Sequence, residues 1–559
     1  MRWRLLLVLS LLWPTVVAAE EPPIIHDAEH YVLLDQLADR WGQEDAEINE
    51  KLAGIRDANG GKAPNIVYIL LDDLGFGEIG MPDLDVIRGY STPNISEFAE
   101  EGLSFMRMYT EPSCTPTRAA MMTGRYAIRT GTTEAKSVVS GDGLNAWEVT
   151  LAEVLSKGGY ETVHMGKWHL GDIEESYAFN QGFDYAEHPV HQQGQMAIMN
   201  ADAEREGISA GLSQQTRANT YELDKSFRLN PHAMVYGIIG EKGGTAREVN
   251  FEAGEIYTQA HYQQMEADYK NGVLAQLERL AGGDKPFFLN YWPQLPISLT
   301  RSDINNGQTL NGGPMAESLA LVDRWIGEIL AKIDELGIAD NTIVIVMGDN
   351  GPFMQYREYS GQNDRIYRGG KTNHLEGGVR VNAFMRWPSG IEAGARVQDI
   401  VHVTDLYTTL ARLADSDQHI PRDRLIDGVD QSPLIFVGDG HGRRDYVFIY
   451  EGPVLRSIVK QQFKFHLPAP GSNPIAAPVF DLYKDSREER IDTAKTIPLG
   501  VGFGGPFVGM MKRHLGWKQK YPDREQGNGV PYGGIENLRP ETQALVDGFV
   551  MVGQLLGKE

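Results

Sequence analysis

Residues 66–73 read Ile66-Val67-Tyr68-Ile69-Leu70-Leu71-Asp72-Asp73. Six apolar or aromatic residues in a row, without alternation, suit a short strand covered on both faces. Two aspartates follow where that strand ends. A second stretch has the same form: Thr342 to Met347 is strand-like and runs into Gly348-Asp349-Asn350-Gly351. In an open α/β sheet, ligands sit at the carboxyl ends of the strands. If the two strands are near neighbours, Asp72, Asp73, Asp349 and Asn350 converge on one spot. Three carboxylates and an amide oxygen are hard donors that suit Ca²⁺ or Mg²⁺. Uncompensated, the carboxylates would repel one another, and a divalent ion removes that problem. Either acidic pair alone would be read as the cap of a helix or turn; the two together favour one divalent metal. Flexible oxygen ligands plus a substrate lean toward Ca²⁺, with Mg²⁺ open.

The elements around these strands alternate. Thr92-Pro93 opens a helix as cap and first-turn proline, and Gly102 closes it. Trp147 to Leu155 is helical and ends at Gly158-Gly159. Glu161 to Met165, Phe287 to Tyr291 and Asn382 to Trp387 read as strands. Met315 to Leu336 is an amphipathic helix with the stripe Leu319, Val322, Ile326, Ile329, Ile333 and Leu336, stopped by Gly337. The expected fold is therefore α/β, a large, mostly parallel sheet sandwiched by helices, over residues 63–440. Residues 20–62 form an N-terminal helical extension, His26 to Asp57 carrying Leu33, Leu34, Leu37 and Trp41 on one stripe, for packing on the body or on a partner subunit. Residues 441–559 hold shorter β-like runs (Tyr446 to Tyr450, Leu455 to Lys460, Val479 to Tyr483), a smaller C-terminal antiparallel sheet with a helix after Pro540. The Gly- and Pro-rich stretches Gly500 to Pro506 and Gly527 to Gly534 read as irregular connections. His188 to Phe251 is long, polar and weakly periodic, as in a lid, a specificity element or a plain surface insertion.

Composition narrows the function classes. The chain has 559 residues, 42% of them hydrophobic, and a formal net charge of -24. That field argues against nucleic acid or an anionic membrane as partner. An anionic substrate needs a site that is locally positive. Arg2 and Arg4 precede an apolar run, Leu5 to Trp13, and Val17-Ala18-Ala19 offers small residues before Glu20. Residues 1–19 thus read as a secretory signal peptide, and the expected location is exported, periplasmic or secreted. No segment is apolar and long enough for insertion across a bilayer. The single cysteine, Cys114, permits no internal disulfide. It is an inert core thiol or a chemically special one.

Its neighbours decide. Ser113-Cys114-Thr115-Pro116-Thr117-Arg118 continues to Thr123-Gly124-Arg125. This resembles the signature of type I sulfatases, Cys-x-Pro-x-Arg followed after four residues by Thr-Gly. Thr92-Pro93-Asn94, Gly166-Lys167-Trp168-His169, Asp340-Asn341-Thr342, Gly348-Asp349-Asn350-Gly351, Arg368-Gly369-Gly370-Lys371 and Glu376-Gly377-Gly378 match as well, as do Val403-Thr404-Asp405 and Asp427-Gly428-Val429-Asp430. The resemblance implies an alkaline-phosphatase-like fold and a nucleophile of formylglycine, made from Cys114 by a formylglycine-generating enzyme. It implies metal ligation by Asp72, Asp73, residue 114, Asp349 and Asn350. Arg118 matches the arginine that supports formylglycine and the metal ligands. Lys167 and Lys371 match the lysines that hold sulfate oxygens, and His169 matches a histidine beside the formylglycine, a base for elimination. The substrate would be a sulfate ester, of a small molecule or a saccharide; a homo-oligomer is open.

The chemistry needs such residues. A sulfate ester resists attack because its oxygens are negative, so a site must neutralise them, supply a nucleophile and protonate the leaving oxygen. A hydrated aldehyde offers two hydroxyls on one carbon: one attacks sulfur, the other then loses its proton and expels sulfate. One departure concerns the proton. Many sulfatases place a histidine after the strand matching Phe287 to Tyr291. Here the chain reads Trp292-Pro293-Gln294-Leu295-Pro296-Ile297, with Ile297 at the histidine position. Gln294 can donate a hydrogen bond but is no acid near neutral pH. His374, three residues after Lys371, is the substitute. Trp168, Tyr291, Trp292, Tyr356 and Tyr359 lie near these motifs, for ordinary packing or for stacking on a substrate ring. A formylglycine-dependent phosphonate monoester or phosphodiester hydrolase is the alternative reading.

Overall fold

The structure is a computed structural model that describes residues 23–135, 142–189, 237–248, 259–295, 313–353, 366–467, 478–490, 498–524 and 527–528. The expected signal peptide, most of the 188–251 segment, Ile297, Tyr356, Tyr359 and the helix after Pro540 lie outside these residues.

Four parallel strands make the centre of the main sheet: β1 (Asn65–Leu71), β2 (Glu161–Gly166), β3 (Phe287–Trp292) and β4 (Thr342–Gly348), in the spatial order β4-β1-β3-β2. Tyr185–His188 extends the parallel set beside β2. The flanks are not parallel throughout. Ala383–Arg386 runs antiparallel to β4, and Ile238–Glu241 antiparallel to Tyr185–His188. Among the described residues the sheet has ten strands and is mixed.

The unbroken apolar run of β1 has a direct cause. Ile66 to Leu71 are all 0% exposed, because helices cover both faces. Ile66, Tyr68 and Leu70 join the core formed with Cys114–Thr123 and Val403–Leu413. Val67, Ile69 and Leu71 join the core formed with Gln259–Ala281 and Gly313–Glu335. Each such side chain contributes about 1.5–3 kcal/mol on burial.

The N-terminal helix, Ala28–Ala58, starts at the Asp27 cap and packs on the rest of this chain; Leu33 and Trp41 meet Tyr446, Phe448, Phe507 and Met510. The small sheet is antiparallel, Tyr446–Glu451, Val454–Lys460, Phe463–His466 and Val479–Asp481 in sequence order. Two expectations change. Pro498–Lys520 is a helix, glycines and Pro506 included, where an irregular connection was expected. Its apolar face decides against the poor propensity: Phe507 stacks on Phe465 of the small sheet with ring centroids 5.4 Å apart. The helix expected from Trp147 begins at Leu151, because Thr150 and Glu153 form a capping box there. Among the described residues no helix is long and apolar enough to cross a membrane.

Candidate active site

The register of β1 and β4 builds the site. Leu71 lies opposite Gly348 in the parallel ladder, so Asp72 and Asp349 leave the sheet side by side. The Asp349 amide donates to the Leu71 carbonyl at 3.0 Å, and the Asp73 amide donates to Asp349 Oδ1 at 2.9 Å. On the other side of β1, Gly166 lies opposite Trp292, and the Lys167 amide donates to the Trp292 carbonyl at 2.7 Å. The carboxyl ends of three of these strands thereby deliver Asp72 and Asp73, Lys167, and Asp349 and Asn350 to one place.

Cys114 arrives from beneath, as the first residue of the helix Cys114–Thr123, all ten residues of which are buried. Gly124 ends that helix at φ +66, where a Cβ would come within 2.5 Å of Tyr407. Ligand atoms of Asp72, Asp73, Asp349 and Cys114 lie within 4.8 Å of one another, and all four residues are buried.

Three cations balance the three carboxylates. Arg118, fully buried, donates to the Lys167 carbonyl at 2.8 Å, to Asp349 Oδ2 at 3.0 Å and to Asp72 Oδ1 at 3.4 Å. Lys167 Nζ lies 2.5 Å from Asp72 Oδ1. Lys371 Nζ lies 2.9 and 3.0 Å from the two Asp73 oxygens. Asn350 Nδ2 donates to Asp73 Oδ1 at 2.8 Å. The formal charges of these three cations and three carboxylates cancel, in a chain of net charge -24, and a divalent cation bound there would make the site positive.

These pairings set the proton affinities. Burial pushes the Asp349 carboxyl well above its ordinary value, with the Asp72 charge adding to the effect. Burial likewise lifts Asp73, to about 6. Asp72 is lowered instead, since Lys167, Lys371 and Arg118 together outweigh its burial. Burial would raise the Cys114 thiol, but Lys167 and Lys371 bring it down to about 7.

The donor set fits a divalent cation on a further observation. Asn350 Oδ1 is buried and accepts no hydrogen bond. A buried amide oxygen without a donor is costly, and an ion between three carboxylates would satisfy it. The group Asp72, Asp73, Cys114 and Asp349, with Asn350, can hold a metal.

Strain gathers at the same place. Asp73, His169 and Thr372 have φ of 55, 61 and 69, three of the six positive-φ residues other than glycine among the described residues. His169 follows Lys167 by two residues, and its carbonyl accepts the Thr115 hydroxyl at 2.9 Å, which fastens it to the start of the cysteine helix.

The remaining sequence-derived residues are placed differently. Gln294 is 0% exposed; its amide Nε2 donates to Glu266 Oε1 at 3.0 Å and its backbone N–H to Glu266 Oε2 at 3.1 Å. Burial lifts that glutamic acid to about 8. His374 Nδ1 lies 2.6 Å from Glu451 Oε1, and its backbone N–H donates to the same oxygen at 2.8 Å. Trp168 and Trp292 are core residues: their rings stack 5.8 Å apart, fully buried, and Trp292 also lies under the Arg118 guanidinium. Tyr291 is fully buried too. Sequence reasoning missed Glu266 and Glu451. Glu266 had a signal: an acid beside the buried positions Met265, Tyr269 and Val273 of one helix. Glu451 had none.

A parallel α/β centre with an acidic cluster and a buried cysteine at its strand ends, faced by two lysines and an arginine, has the layout of a sulfuric ester hydrolase. The family model "Sulfatase" matches residues 64–292 and 304–416, and the chain belongs to that family. It is 29% identical over 519 residues to steryl-sulfatase of Rattus norvegicus, spanning 79% of this chain and 87% of that protein. To N-acetylgalactosamine-6-sulfatase of Rattus norvegicus it is 30% identical over 433 residues, 74% of this chain and 73% of that one. The crystal structure of the PsFucS1 sulfatase from Pseudoalteromonas sp. superposes with a TM-score of 0.72 at 26% identity, covering 87% of this chain and 96% of that chain.

Proposed function

We propose that this sulfatase cleaves a sulfate monoester, of an aryl or saccharide alcohol, with formylglycine at position 114 and a divalent metal, Ca²⁺ before Mg²⁺, held by Asp72, Asp73, residue 114, Asp349 and Asn350. One observation carries the reading: the Cys114 sulfur, standing where formylglycine oxygens would be, shares a 4.8 Å cluster with three carboxylates, two of which bind Lys167 and Lys371. Formylglycine hydrate supplies a hydroxyl for attack on sulfur and a second whose deprotonation expels sulfate; the metal supplies positive charge for the sulfate oxygens.

The chain's own residues do the rest. Lys167 and Lys371 exchange their carboxylates for sulfate oxygens once a cation occupies the acids. Arg118 keeps Asp72 and Asp349 aimed and opposes the burial that favours a proton on Asp349, and Arg118 itself is held by the Lys167 carbonyl. His169, fixed in the left-handed region beside the cysteine helix, takes the hydroxyl proton at residue 114 in the elimination step. His374 gives its proton to the leaving oxygen, with Glu451 on Nδ1 orienting the ring. Gln294, committed to Glu266, shapes the floor beside Leu295, whose carbonyl accepts the Asp72 amide at 3.4 Å. The apolar run of residues 5–13 behind two arginines supports export to the periplasm or beyond.

The test is the mass of the peptide carrying residue 114, isolated from a host able to mature it, together with turnover of matched aryl sulfate and aryl phosphonate esters. An aldehyde at 114 and a preference for sulfate are expected. An unmodified thiol in active enzyme sinks the mechanism, and a large phosphonate preference selects the phosphonate hydrolase reading.

A further inference from the structure

A chain of charged side chains crosses from the small sheet to the loop that carries Lys371. Lys464, on the strand Phe463–His466, is fully buried and lies 3.1 Å from both Glu376 Oε1 and Glu488 Oε1. Glu488 Oε2 accepts the Glu376 backbone N–H at 2.8 Å, and His466 Nε2 lies 2.7 Å from Glu488 Oε1. Glu376 Oε2 takes the Tyr109 hydroxyl at 3.0 Å and Arg380 at 3.4 Å. Two carboxylates and two permanent cations thus cancel. Two residues earlier, Glu451 of the strand Tyr446–Glu451 holds both the ring and the backbone N–H of His374, and Arg456 binds the other Glu451 oxygen at 2.9 Å.

What these contacts restrain is a backbone that does not hold itself. Thr372, directly after Lys371, is β-branched and sits at φ 69. Such a conformation persists only where surrounding contacts enforce it. Its N–H donates to the Pro112 carbonyl at 2.6 Å, two residues before Cys114, and the Lys371 N–H donates to the Pro352 carbonyl at 2.9 Å. The loop is therefore stretched between the cysteine helix, the turn after Asp349, and the small sheet.

We propose that the small C-terminal sheet is a working part of the sulfate site, with Glu451, Lys464 and Glu488 as positioning residues that hold the Lys371 ammonium where it meets the sulfate oxygens. This rests on the sulfatase reading of Lys371. Glu451 acts on the loop from outside the catalytic body, and its carboxylate, part exposed, tolerates replacement more readily than the fully buried Glu488.

The experiment is titration of inorganic sulfate into the matured, Ca²⁺-loaded full chain, beside KM and kcat for an aryl sulfate. Glu451→Gln keeps the side-chain size but removes the charge that grips His374. The expected result is a sulfate Kd and a KM that rise together, roughly ten- to a hundredfold, with the thermal midpoint nearly unmoved; a fall in kcat reports the His374 ring that Glu451 also orients, and the sulfate Kd, which needs no proton donor, reports Lys371. Glu451→Asp keeps the charge one methylene short and should fall between the two; it gives the same reading if E451Q fails to fold. Sulfate affinity in E451Q or E451D equal to that of the parent overturns the proposal, as does a loss confined to folded fraction. A parent that binds sulfate but turns over no sulfate ester refutes the functional reading instead and leaves the positioning result standing.

Discussion

Removing the guanidinium at Arg118 tests the charge balance of the site most directly. In Arg118→Met the apolar stem is kept and three hydrogen bonds vanish. The two lost ion pairs have N···O separations of 3.0 and 3.4 Å with every partner 0% exposed. At an effective dielectric near 20, each is worth about 5 kcal/mol of Coulomb energy. Desolvation of the buried guanidinium takes back several kcal/mol. The net loss expected in metal-free protein is about 3–5 kcal/mol, because Asp72 and Asp349 are left facing each other in a dry site. Urea unfolding with chelator present measures it. The same variant with saturating Ca²⁺ should lose less, since the cation takes over the neutralisation. Arg118→Lys should lie between, because an ammonium cannot reach two carboxylates and the Lys167 carbonyl in one plane. An R118M variant within about 1 kcal/mol of the parent in chelator would refute this electrostatic account.

Other outcomes follow from single contacts. Cys114→Ala should stay folded and lose all turnover, and residual turnover in the variant rules out a nucleophile at 114. Chelation should abolish activity and Ca²⁺ or Mg²⁺ should restore it; activity in protein shown to be metal-free excludes the metal role. Gly351→Ala should destabilise the turn after Asp349 and weaken sulfate binding, since its Cβ would stand 1.8 Å from the Gly377 carbonyl oxygen, and a parent-like sulfate Kd would contradict the placement of that turn. Burial alone would raise the Glu488 carboxyl, but Lys464 and His466 outweigh it and hold it down at about 2, against an ordinary 4.5. A depressed carboxyl stabilises the fold fully above about pH 4.5, and that contribution fades as pH falls through about 2. Glu488→Gln should therefore flatten the stability profile between those pH values, and an unchanged slope there would refute the assignment.

How much was legible depended on whether the signal was local. β1 and β4 could be read because burial on both faces leaves an uninterrupted apolar run, and the acids could be read because they stop those runs. The mixed character of the sheet flanks was not legible, since Ala383–Arg386 carries nothing in its four residues that fixes its direction. The helix Pro498–Lys520 was hidden by its glycines and proline, whose local cost is overridden by packing of Phe507 and Met510. Trp168 and Trp292, beside the candidate site motifs in sequence, turn into the core, where their rings stack on each other. Glu266 stood out as an acid among buried helix positions, but its pairing with Gln294, like that of Glu451 with His374, was beyond reach: the partners lie 28 and 77 positions apart, and hydrogen bonds across such spans leave no periodic trace.

The pairing of Leu71 with Gly348 also has a meaning in time. The two acidic turns are separated by 276 positions along the chain, and the ladder between them is parallel and non-local. Contacts of that kind pay loop-closure entropy before they return any energy, and they form late. Cys114, 1% exposed in the finished fold, is out of reach of any modifying enzyme once β4 has docked beside β1. The same register that assembles the site would thus close the interval open to the conversion proposed for Cys114. Under the proposed function, oxidation of Cys114 would have to precede the docking of β4 beside β1, because the thiol is 1% exposed in the folded chain.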